Sequence, residues 1–82
     1  MNFIEVWRTL EGATVTVYLE HRIFGSQQIF IENLHIIEDD NRIGVRVKDQ
    51  EIYLNKEEII STEICDNMYI VLSKNMKIVV VC

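Results

Sequence analysis

The chain changes its hydrophobic period once, near Gly12. Before it, Phe3, Trp7 and Leu10 recur at spacings of four and three, which places them on one face of a helix. Asn2 stands in the capping position, and Glu5, three residues later, completes a capping-box-like pair. Gly12 suits the C-terminal stop. A helix of about ten residues is marginal alone. Its apolar face is therefore expected to lie against the rest of the chain, with Trp7 as the buried anchor.

After Gly12 the period is two. In ATVTVYLE, Val15, Val17 and Leu19 fall on one side and Thr14, Thr16, Tyr18 and Glu20 on the other. HRIFGSQ reads as a loop around Gly25-Ser26. QIFIENLHIIE reads as one long strand whose phase breaks, with Ile29 and Ile31 odd-numbered and Leu34 and Ile36 even. A bulge or strong bend near Glu32-Asn33 reconciles the two halves. RIGVRVK alternates strictly, with Ile43, Val45 and Val47 inward. Asp49-Gln50 predicts a two-residue turn into EIYLN, which sends Ile52 and Leu54 inward. KEEII suits a single helical turn; ISTEI, YIVLS and KIVVVC are three further strands, separated by DN and KN. Together these predict one mainly β domain over residues 1–82, a small barrel or sandwich of five to seven strands with one short N-terminal helix.

The stretch IIEDDN, with His35 before it, poses the sharpest chemical question. One histidine and three carboxylates within six residues suggest a divalent metal site. As the loop of a hairpin, Asp40-Asn41 sets Asp39 opposite Arg42, Ile37 opposite Gly44 and His35 opposite Arg46. That register collects Leu34, Ile36, Ile43, Val45 and Val47 on one inner face, and a one-residue slip exposes all of them. Only His35 and Asp39 then share a face, about 13 Å apart at roughly 3.3 Å per residue. Metal binding needs three or four converging ligands. The turn is the expected reading, and no metal, catalytic or cofactor residue is assigned.

Composition narrows the picture. Thirteen Ile and nine Val against one Ala and no Pro favour strands. The same usage is what AT-rich codons produce, as in a low-GC bacterium or its phage. A net charge of −5 works against sequence-independent binding to nucleic acid. No basic segment followed by an apolar run opens the chain, and no eighteen-residue apolar stretch occurs, so neither a signal peptide nor a membrane span is expected. Two cysteines, Cys65 and Cys82, are too few for a disulfide framework and fit a reduced cytoplasm.

Two surfaces are candidates for interaction. Arg42, Arg46 and Lys48 line the outer side of one strand with Tyr53 nearby, a pattern that can track a nucleic-acid strand. The Asp49-Gln50 turn sets Lys48 against Glu51 and Arg46 against Tyr53, so a solvated face of cross-strand pairs is the plainer reading. The closing hairpin is different, because Tyr69 to Leu72 and Ile78 to Val81 are apolar on both faces. Such strands must be covered on both sides. Either the domain folds over the hairpin, or Tyr69, Val71, Val79 and Val81 mark a subunit interface; the second is preferred, with a two-fold dimer as the expected assembly.

The order of elements resembles the Sm-like branch of the SH3-like small barrels. The resemblance runs from Asn2 to Ile64, through the helix, GATVTVYLE, the long bent QQIFIENLHIIEDD, RIGVRVK and EIYLNKEEIISTEI. It implies a barrel and assembly by strand pairing. That family binds RNA through an Asp-plus-Asn or Asp-plus-Phe pair after the bent strand and an Arg-Gly or Lys-His pair before the last strand. IIEDDN and YLNKEE stand at those places here and do not match, so no RNA-binding residue carries over. The closing hairpin has no counterpart in the family. The expected function is a non-enzymatic assembly or interaction module, with an RNA-binding protein as the alternative.

Overall fold

A computed structural model describes residues 2–82. They form a helix α1 (Phe3–Arg8), strands β1 (Val15–His21), β2 (Gly25–Ile31), β3 (His35–Glu38), β4 (Arg42–Val47) and β5 (Gln50–Asn55), a 3-10 turn (Lys56–Glu58), and strands β6 (Ile59–Cys65), β7 (Met68–Ser73) and β8 (Met76–Val81). The fold is mainly β with one short helix, as expected. The described residues form eight strands rather than five to seven, in two separate sheets in place of a closed barrel. The larger sheet has the order β2-β1-β8-β7-β6 and the smaller β3-β4-β5.

The extra strand comes from the long bent segment. Its phase break is a full division: β2 ends at Ile31 in the larger sheet and β3 begins at His35 in the smaller. Leu34, wholly buried, sits at the crossing. Its carbonyl accepts from Gly12 N–H at 2.7 Å and its own N–H donates to Ala13 O at 3.0 Å. Gly12 turns the chain there with φ +81°, a region open to glycine at little cost.

The hairpin register read through IIEDDN holds: His35 faces Arg46, Ile36 faces Val45 and Ile37 faces Gly44. The next turn differs. Its loop is Lys48-Asp49, with Lys48 at φ +56°, so Arg46 faces Glu51 and Gly44 faces Tyr53. The shift moves each partner by two residues, which keeps every side chain on its predicted face. Gly25-Ser26 also open β2 instead of forming the loop, which lies at Arg22 to Phe24. The helix is six residues, shorter than its pattern, capped by Asn2 Oδ1 accepting from Ile4 N–H at 2.8 Å.

One core joins both sheets and the helix. Val15, Val17, Ile78, Val80 and Val71 from the larger sheet meet Ile43, Val45 and Leu54 from the smaller, with Trp7 and Leu10 beside them. The closing hairpin lies in the middle of the larger sheet, between β1 and β6. At one seam between the sheets α1 lies against both edges, β3 and β6. Glu38 is fixed there: its side chain is 4% exposed and is paired with Arg8 of α1 and Lys56 of the 3-10 turn. At the other seam the edges are β2 and β5.

Candidate interaction site

The ladders of the larger sheet set its side chains in rows that cross all five strands. Residues paired across an antiparallel ladder share a face, so Phe30, Thr16, Val81, Met68 and Cys65 form one row. Gln28, Tyr18, Val79, Ile70 and Glu63 form the next, and Ser26, Glu20, Lys77, Leu72 and Ser61 the third. These rows lie on the face away from the core, because their neighbours in sequence, Val17, Val71, Ile78 and Val80, are wholly buried. Between β2 and β7 the first two rows are mostly apolar, with Phe30, Tyr18, Val79, Val81, Met68 and Ile70 interrupted by Thr16 and flanked by Gln28. Phe30 is 67% and Tyr18 38% exposed, and Val79, Val81, Met68 and Ile70 are half-buried. With strands about 4.8 Å apart and a rise of about 3.3 Å per residue, the patch covers on the order of a few hundred Å², the size of the largest apolar patch on an ordinary protein surface, which is often functional.

The register divides the expected interface set. Tyr69 pairs with Val80 and Val71 with Ile78, so both belong to the core-facing side, and Val71 is wholly buried. Val79 and Val81 are on the outer face, opposite Ile70 and Met68. The outer face therefore takes its β7 residues from the even-numbered positions. Thr16, Tyr18 and Phe30, absent from the sequence reading as interface residues, complete it. The signal for the β7 residues was present: the Lys74-Asn75 turn places Leu72 opposite Lys77, which fixes the parity of the whole hairpin.

The smaller sheet presents a charged outer face. Arg42 lies over the Tyr53 ring, 4.9 Å from its centre, and pairs with Asp39 at 2.9 Å and Glu51 at 3.5 Å. Arg46 pairs with Glu51 at 2.9 Å. Lys48 lies apart from them, exposed in the β4–β5 turn. Three of the four basic-face residues are thus together, with each arginine matched by a carboxylate. The charge-assisted bond from Arg46 holds the Glu51 carboxyl below its ordinary range, and Asp39 raises the Arg42 guanidinium above its own.

Asp39 is committed to the turn. Its Oδ1 accepts from the backbone N–H of Asn41 and of Arg42, each at 2.8 Å, and the Asn41 bond leads in lowering its pKa. His35 Nδ1 is 2.9 Å from Glu11, whose other oxygen accepts from Ile36 N–H at 2.8 Å. That backbone bond is the main cause of a lowered Glu11 pKa. The four groups that sequence brings together around IIEDDN therefore diverge: Glu38 points to the helix seam, Asp39 to its own turn and His35 to Glu11. Asp40 is exposed at the hairpin tip.

Comparison with protein-family models, with curated proteins and with solved structures finds no match. No helix among the described residues is long and apolar enough to cross a membrane.

Proposed function

We propose that the chain is a non-enzymatic β module whose work is assembly, and that two copies associate through the outer face of the larger sheet. The observation that supports this reading is the apolar patch of Phe30, Tyr18, Val79, Val81, Met68 and Ile70 on the outer face, with Phe30 and Tyr18 exposed. A second copy is the occupant that fits. The border of the patch carries Glu20 and Lys77, 3.8 Å apart, and Glu63 at its β6 end. Its centre, from Tyr18 through Val79 and Val81 to Met68 and Ile70, carries no charge, so a two-fold contact centred there opposes no like charges. Kinship with the Sm-like barrels belongs to the same proposal. It rests on the order of helix, divided strand and 3-10 turn before β6, and implies assembly without the family's RNA contacts.

The test is solution mass by light scattering at micromolar concentration, on the parent chain and on Val79→Lys with Val81→Lys. Both valines lie on the outer face, where a lysine stem covers apolar surface while its ammonium reaches water. The double variant is expected to keep its circular dichroism and to fall to a lower assembly. Equal masses for parent and variant, or a monomeric parent, overturn the reading.

A further inference from the structure

The four sheet edges differ in how they are protected. An exposed edge offers unpaired N–H and C=O groups, and proteins blunt it by shortening the strand, charging it, bulging it or covering it. β3 has four residues, ends in Glu38 and lies against α1. β6 carries Glu63 and a register irregularity between Ile59 and Ser61, and α1 lies against it too. β5 carries Glu51. β2 has none of these devices. GSQQIFI is seven residues long, without charge or proline, regular along its whole ladder with β1, and exposed at five of seven positions.

Beside this edge the second seam stands open. A groove of about 570 Å³ is bounded by Gln27, Gln28 and Ile29 on one side and by Val47, Lys48, Asp49 and Gln50 on the other. It runs beside the middle of β2.

We infer that β2 pairs antiparallel with β2 of a second copy, about a two-fold axis at Gln27 or Gln28, and joins two larger sheets into one of ten strands. The charges flanking the strand select this partner and direction. Arg22 precedes β2 and Glu32 follows it. Antiparallel pairing brings the Glu32 end of each copy to the Arg22 end of the other, whereas parallel pairing sets like against like. Within the strand there is no charge to repel its own copy. The contact is isologous and closes on itself, so it ends at two copies instead of growing into a fibre. It uses main-chain groups of the edge and leaves the outer apolar face free, so it is independent of the face-to-face association proposed above.

Self-cross-linking tests it directly. In a chain carrying Cys65→Ser and Cys82→Ser, Gln27→Cys or Gln28→Cys places a thiol on the proposed axis, opposite its own copy. One of the two is expected to form a disulfide dimer under mild oxidation at micromolar concentration at least tenfold faster than a control with Ser61→Cys on β6. Failure of both to exceed the control overturns the inference. A second measurement guards against a cysteine that disturbs the edge: Gln27→Lys, on the opposite side of β2 from the outer face, is expected to lower the solution mass without altering circular dichroism. An unchanged mass in that folded variant also overturns it. Neither readout depends on Val79 or Val81, so failure of the face contact leaves both interpretable.

Discussion

The indole N–H of Trp7 donates to the backbone carbonyl of Gly44 across 3.1 Å, joining residues thirty-seven apart in sequence. Trp7 is wholly buried and Phe3 stacks on it with ring centres 5.7 Å apart. A buried indole nitrogen needs a partner, and this bond supplies one while fixing α1 to the smaller sheet. The helix is six residues long, too short to hold itself, so its place depends on this anchor.

Trp7→Ala removes the anchor. Truncation of a buried Trp costs about 3–5 kcal/mol, a large share of the roughly 5–15 kcal/mol that keeps a domain folded. Trp7→Phe keeps most of the apolar area and leaves the Gly44 carbonyl without its donor, a loss of about 1–3 kcal/mol. Thermal denaturation is expected to rank them parent, Phe, Ala. A Trp7→Ala chain that melts within a degree or two of the parent shows that the helix is not docked by this side chain.

Gly44 answers to a second constraint. A Cβ there would lie 2.0 Å from Ile52 O and 2.5 Å from Tyr53 Cα, both backbone atoms, so β5 itself has to move. Overpacking costs about 1–3 kcal/mol where side chains can give. Here they cannot, so Gly44→Ala is expected to reach at least the upper end of that range and to loosen Trp7, whose acceptor is the same residue. Denaturant unfolding measures the first effect and tryptophan emission the second. A parent-like midpoint with unshifted emission contradicts both.

Much of this was legible in the sequence because alternation survives a misplaced turn. Moving the β4–β5 loop from Asp49-Gln50 to Lys48-Asp49 changed who faces whom yet left Ile52 and Leu54 inward. The phase break at Glu32-Asn33 marked the right place, but periodicity cannot tell a bulged strand from two strands in different sheets; that depends on what Leu34 packs against. The hairpin of β7 and β8 was the opposite case. Being apolar on both faces it carries no phase of its own, so Tyr69 and Val71 were grouped with Val79 and Val81 when only the turn could assign them. Glu38 was legible only as facing away from Asp39. Its partners, Arg8 and Lys56, lie far apart in sequence and meet through the fold.

Glu38 makes stability depend on pH. The bond from Lys56, at 2.5 Å, leads in lowering its pKa below the ordinary glutamate value of 4.5, against the opposing effect of burial, and Arg8 adds to it. A carboxylate with a lowered folded pKa binds fewer protons folded than unfolded. Its stabilising contribution is present above the unfolded value and is lost as pH falls through the folded one. Glu38→Gln is expected to cost about 1.5–3 kcal/mol near neutrality, the scale of hydrogen bonds to charged groups. Arg8, 63% exposed, can turn to water, but the Lys56 side chain is only 28% exposed and loses its main counter-charge, so the cost is expected toward the upper end of that range. The difference between parent and variant is expected to shrink as pH falls below about 4.5. A difference that stays constant from pH 7 to 3 places the stabilisation elsewhere.

The charged face of the smaller sheet gives the last prediction. Arg42 and Arg46 have the spacing and the neighbouring Tyr53 ring to follow a phosphate backbone, but Asp39 and Glu51 occupy them. A phosphate has to displace a carboxylate that is already hydrogen-bonded, in a chain of net charge −5. The parent is therefore expected to show no binding to a single-stranded oligonucleotide at about 50 mM salt, where a basic face would bind with a strong salt dependence. Asp39→Asn with Glu51→Gln frees both guanidinium groups. The turn is kept, because an amide oxygen at position 39 still accepts from Asn41 and Arg42 N–H. Binding is expected to appear in this variant, and two phosphate contacts at about 0.7 each predict a slope near −1.4 in log affinity against log salt. Fluorescence anisotropy at several salt concentrations reads both values. If the parent itself binds with such a slope, the carboxylates do not close the face, and the nucleic-acid reading replaces the assembly one.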